Sequence, residues 1–220
     1  MNNNKLVVRF CCGGFLRFLS HQESATAIER TIKRSGLPVA YTQGFHPRIK
    51  ISFSPALPTG VMSLANYVLL ETDGLSQDVV NLLNSVSNFT IRALKAWYLP
   101  RDYAKIDDLL DSYRTAIILP KGSYYPERFD ASAIVTKKTK SGYKKYNAGE
   151  VFMDLSVTSL RTVHVVKYSQ PIESMVTAEE ILKILSKEGT ASYEGVIVFV
   201  EDGMVNGRST SDILDEIGGI

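Results

Sequence analysis

Apolar and polar residues alternate from the first strand-like run of the chain. In KLVVRF, residues 5–10, Leu6, Val8 and Phe10 fall on one face of a predicted strand, with Val7 and Arg9 on the other. The polar S-H-Q-E that begins at Ser20 has the spacing of a capping box, the Ser20 hydroxyl facing the first helical turn and Glu23 reaching back. Ala25, Ile28 and Ile32 then recur at helical spacing, and Gly36 and Pro38 end the helix in the expected order. Alternation returns over 48–54, where Ile49, Ile51 and Phe53 oppose Arg48, Lys50, Ser52 and Ser54. A third strand is predicted at 67–72. A second helix, capped by Ser76, carries Val79, Val80, Leu83 and Val86, and a fourth strand covers 89–97.

This order is β-α-β-β-α-β, that of the ferredoxin-like arrangement: four antiparallel strands with both helices on one face and the other face free. A fainter second passage follows. Strands are predicted at 113–119, around 134–146 and 150–157, over 161–168 and at 193–200. A short helix is expected near 126–134, and Thr177 to Glu180 forms another capping-box pattern ahead of EEILKILSKE. The expectation is an α+β protein of two tandem ferredoxin-like domains with antiparallel sheets. Its divisions are 1–100, a linker at 101–112, a second domain at 113–202 and a surface tail at 203–220.

Composition narrows the class. Hydrophobic content of 45% and charged content of 22% are those of a globular protein. No apolar run approaches the roughly 18 residues of a membrane helix, and the first residues lack the long apolar core of an export signal. The adjacent Cys11 and Cys12 give no disulfide framework, so a reducing, cytoplasmic setting is expected. Net charge is only +2, but it is unevenly spread. Residues 1–60 carry eight Lys/Arg against two Glu, whereas 146–220 carry five basic against twelve acidic residues.

Candidate chemistry concentrates in LPVAYTQGFHPRIKISFSPALP, residues 37–58. If the first two strands share a sheet, Arg9, Arg48 and Lys50 share its open face, a cationic surface suited to phosphate. Tyr41 and Phe45 are the nearest stacking candidates, a sparse platform that favours backbone or structured-RNA contact. A lysine-dense hairpin, TKKTKSGYKKYN, adds Lys137, Lys138, Lys140, Lys144 and Lys145. Lysine also protects exposed strand edges from aggregation, so this hairpin has a bland explanation beside the functional one. His21 and His46 are the candidate acid–base pair should the protein be an enzyme. No metal or other cofactor is expected: neighbouring cysteines in an extended chain point apart, and the chain has no phosphate-loop GKS/GKT and no HExxH.

The stretch FLRFLSHQESATAIERTIKRSGLPVAYTQGFHPRIKISFSPALPTGV resembles the hallmark region of the radical-SAM-linked (radical-SAM-associated) proteins, a bacterial domain of unknown function. The family form is close to LRFLSH, a helix, a GFHPRPKISF-type turn and strand, and a PALP-type loop, and the lysine hairpin is similar too. Ile49 stands where a second proline is common, and Cys11-Cys12-Gly13-Gly14 replaces a more polar turn. On the matching positions the resemblance implies functional roles for Arg17, Ser20, His21, Gln43, Gly44, His46, Pro47, Arg48 and Lys50. It also implies a radical SAM protein as partner. The expected function is a non-catalytic RNA-binding accessory that presents tRNA or rRNA for modification. Arg9, Arg17, Gln43, His46, Arg48, Lys50 and the five hairpin lysines are its contacts. Two alternatives stand beside it: a protein-only adaptor, and a metal-independent RNA endonuclease of ferredoxin-like type.

Overall fold

A computed structural model describes residues 4–218 apart from 102 and 104. Contacts divide the chain into two units, one of residues 1–110 with 205–220 and one of 111–204. The protein is mixed α+β with antiparallel strand pairing and, among the described residues, five α-helices.

In the first unit the elements follow in the order β1 (Asn4–Cys12), α1 (His21–Ser35), β2 (Ile51–Phe53), β3 (Met62–Thr72), α2 (Val79–Val86) and β4 (Ile91–Leu99). The strands align as β4-β1-β3-β2, every neighbour antiparallel. Register sets the faces. Leu6 opposes Leu70 and Tyr98, and Val8 opposes Val68 and Ala96, so these side chains meet α1 and α2 through Ile28, Ile32, Val79 and Leu83. The capping box at the start of α1 forms as predicted: Glu23 N donates to Ser20 Oγ at 3.3 Å, and Ser20 N donates to Glu23 Oε2 at 2.8 Å. Gly36 closes the helix at φ 72°, a left-handed position that a Cβ would strain.

Two local expectations shift. Asp78, not Ser76, is the N-cap of α2, which begins only at Val79; the Ser76 backbone N–H donates to the Tyr98 hydroxyl at 2.7 Å. The strand expected over 48–54 shortens to Ile51–Phe53, because Ile49 pairs with Tyr41 instead of with β3.

The second unit contains β5 (Ser112–Pro120), the hairpin β6 (Ile134–Thr139) and β7 (Gly142–Asn147), and the single turn α3 (Ala148–Val151). It continues with β8 (Met153–Ser159), β9 (Val163–Pro171), α4 (Ala178–Leu185) and β10 (Ile197–Val205). Its sheet order is β10-β5-β9-β8, again antiparallel throughout. Tyr113, Ile117, Leu119, Val166, Ile181, Leu182 and Leu185 are buried, and Phe152 meets Tyr168 edge-on at 5.1 Å. The helix expected near 126–134 does not form. Pro126–Arg128 is a 3-10 turn, and Asp130 accepts from both Ser132 N and Ser132 Oγ, a local turn that competes with a helix. The Thr177 capping box is likewise unmade, since Glu180 Oε2 accepts the Thr136 backbone N–H at 2.7 Å.

The stretch expected to be a tail completes the first unit. α5 (Thr210–Gly218) packs against β4, with Leu214 wholly buried. Trp97 Nε1 donates to Asp215 Oδ1 at 2.7 Å, Lys95 pairs with the same carboxylate at 2.5 Å, and the Tyr67 hydroxyl bonds Ser211 Oγ at 2.7 Å. Thr210 Oγ1 donates to Leu109 O, tying the helix to a 3-10 turn over Ile106–Leu109. Ile106, Leu109 and Leu110 are themselves buried, so the latter part of the expected linker also belongs to this unit. The second face of the first sheet, expected to be free, is therefore covered over Val7, Tyr67 and Trp97, each fully buried.

Candidate nucleic-acid interface

Residues 40–50 build a projecting hairpin. Lys50 N donates to Ala40 O, Thr42 N to Arg48 O, and Arg48 N to Thr42 Oγ1. Buried Ile49 anchors its base, and Gly44 turns the tip at φ 132°, a conformation open to glycine. Gln43, His46 and Arg48 are exposed, and the Phe45 ring is entirely in solvent. Among the described residues nothing engages the Arg48 guanidinium.

Its expected companions are occupied. Lys50 Nζ pairs with Glu71 Oε2 at 2.8 Å. Arg9 Nε donates to Leu64 O at 2.6 Å and its Nη1 to Ser211 Oγ at 2.7 Å, beneath the start of α5. The open cationic face expected for Arg9, Arg48 and Lys50 thus reduces to Arg48. Two facts not visible locally explain this: Glu71 lies across from Lys50, and α5 arrives from the far end of the chain.

Arg17 and His21 belong to a different end of β2. The Arg17 guanidinium lies over the Phe18 ring at 4.6 Å in a 3-10 turn, Gly14–Phe18, and Gly60 N donates to Arg17 O. His21 Nε2 is 3.2 Å from Ser54 O, the residue after β2, and its ring meets Phe53 edge-on. The 40–50 hairpin instead precedes β2. One imidazole nitrogen of His21 is held by a backbone carbonyl, while His46 stands at the exposed hairpin tip.

In the second unit, pairing of Lys138 with Tyr143 and of Thr136 with Lys145 places these side chains on one face of β6–β7. The other face holds Val135, which is buried, together with Tyr146, Lys137 and Lys144. Lys137 Nζ donates to Glu173 O at 2.7 Å. Nothing among the described residues engages Lys138, Lys140, Lys144 or Lys145, all exposed. Tyr143, 70% exposed between Lys138 and Lys145, was missed at the level of sequence, although the spacing of Tyr143 and Lys145 already placed both on one strand face. A hollow on the sheet of this unit carries both signs, Arg114 and Lys167 against Asp154 and Glu201, and so has no anion preference.

The cysteines are part of the packing. Burial pushes the Cys12 thiol up to about 12 and raises that of Cys11.

A family model described as "Uncharacterized protein conserved in bacteria (DUF2344)" matches residues 5–186, which take in the 40–50 hairpin, His21 and the lysine hairpin. No curated protein matches the chain. With most of its length matched, the chain belongs to the DUF2344 family conserved in bacteria.

Proposed function

We propose that the protein is a non-catalytic RNA-binding accessory that recognises a structured RNA, tRNA or rRNA, for a radical SAM modification enzyme. The observation that carries the RNA part is the β6–β7 hairpin, whose four exposed lysines have no carboxylate partner among the described residues. Lys137 and Lys144 stand directly opposite each other on one face, an unfavourable like-charge pair that an anionic ligand would relieve. Arg48, His46 and Gln43 on the 40–50 hairpin add a second set of exposed polar contacts. The radical SAM partner rests on the resemblance of the LRFLSH and GFHPRIK motifs. A tandem of ferredoxin-like domains is the architectural side of the same proposal, supported by the strand orders β4-β1-β3-β2 and β10-β5-β9-β8.

The test is a salt titration of binding to total tRNA by fluorescence anisotropy. Lys138→Gln with Lys145→Gln is expected to weaken binding and to flatten the log–log salt dependence by about one unit per lysine. Absence of binding at low salt would remove the proposal.

A second reading, a protein-only adaptor, is favoured by one feature: the fully exposed Phe45 at the hairpin tip has the form of an interface anchor. Capture of a radical SAM protein that survives nuclease and is lost with Phe45→Ala would select it. The endonuclease alternative has less support, because Ser54 O holds one nitrogen of His21.

A further inference from the structure

Tyr143 gives the lysine hairpin more than charge. Its ring is 70% exposed on the outward face, directly across from Lys138 and one same-face position along β7 from Lys145. Cross-strand neighbours lie about 5 Å apart, and same-face neighbours along a strand about 7 Å. An exposed aromatic ring therefore has lysines as its cross-strand and same-face neighbours, and nothing among the described residues neutralises either one. Val135, buried on the reverse side, fixes which face looks outward, and Thr136 N bonded to Glu180 pins β6 to α4.

The geometry points to Tyr143 as a stacking platform for one unpaired base, with Lys138 and Lys145 on the flanking phosphates. This deepens the RNA-binding proposal and rests on it: the preferred ligand is a single-stranded loop or end of the RNA. A duplex offers phosphates to the lysines but keeps its bases stacked on one another, out of reach of the ring. An unpaired nucleotide satisfies ring and ammonium groups together, and stacking tolerates any base identity. The two-residue turn Lys140–Ser141 adds a further ammonium at the tip, where a continuing strand would pass.

Binding of the full chain to a 5′-labelled 12-nucleotide oligouridylate and to a 12-base-pair RNA duplex tests this at one salt concentration. The expected result is tighter binding of the single strand. Tyr143→Ala should weaken that binding about tenfold or more while duplex binding changes less than about twofold, and Tyr143→Phe should retain the preference. Unchanged thermal melting of the Tyr143→Ala protein confirms that the fold is intact. If Tyr143→Ala leaves single-strand binding unaltered while Lys138→Gln with Lys145→Gln weakens both ligands, the stacking role is overturned and the RNA-binding proposal stands. If the wild-type chain binds neither RNA at low salt, both fall.

Discussion

At the scale of single residues, Asp215 shows how a side chain remote in sequence decides the state of a strand. The Lys95 ammonium, then the Trp97 N–H, hold its carboxyl below the ordinary aspartate range. A carboxylate lowered in the folded state contributes stability above its unfolded value and loses it as pH falls through the folded one. The hold of α5 on β4 is therefore expected to weaken with acid, below about pH 4. Trp97 is the only tryptophan, so a red shift of its fluorescence on acid titration reads this directly. In Asp215→Asn that step should disappear, and because the pair is solvent-exposed, stability at neutral pH should fall by no more than about 1 kcal/mol. The thiols give a second expectation. With its pKa pushed up to about 12 by burial, Cys12 should resist a thiol reagent at pH 8 in the native protein and react fully only after unfolding. The occupation of Arg9 and Lys50 was not legible in the sequence, because Ser211 and Glu71 are partners no local pattern announces.

Individual elements follow their sequences where their signals are self-contained. α1 has its cap, its apolar stripe and its terminating glycine within seventeen residues, Ser20 to Gly36, and all three appear as predicted. Removing either end should show it: Ser20→Ala is expected to cost about 1 kcal/mol by losing the box. Gly36→Ala should cost about 1–2 kcal/mol, because φ 72° strains any Cβ although no atom crowds it. Both are measured as a shift in the denaturant midpoint. Elements fail to follow their sequences where a distant group takes a key atom. Glu180 caps β6 instead of its own helix, Tyr98 claims Ser76, and Tyr41 draws Ile49 away from β3, so that β2 keeps three residues. The Arg48–Lys50 part of the GFHPRIK motif, expected to open the strand after the GFHP turn, is for this reason the returning arm of a hairpin, and the strand begins only at Ile51.

For the molecule as a whole, the order of elements over 1–100 was legible because helical and strand periods alternate there; in the fainter passage after it an expected helix gave way to a 3-10 turn, and the covering of the first sheet was not legible. Val7 is the clearest case. Within KLVVRF it has the outward phase, yet it is fully buried, because a turn at Ile106–Leu109 and a helix some two hundred residues later in the chain complete that face. Ending the chain at residue 204 is expected to uncover Val7, Tyr67 and Trp97 together. The shortened protein should show red-shifted tryptophan emission, bind a hydrophobic dye and lose the cooperative melt of its first unit. A unit made of two stretches separated in sequence by 111–204 also has a schedule. Ribosomes deliver α5 only after every residue of 111–204 has been made, so the earlier half must wait with its tryptophan-bearing face unprotected. The second unit, encoded in the middle, is the one that can finish first.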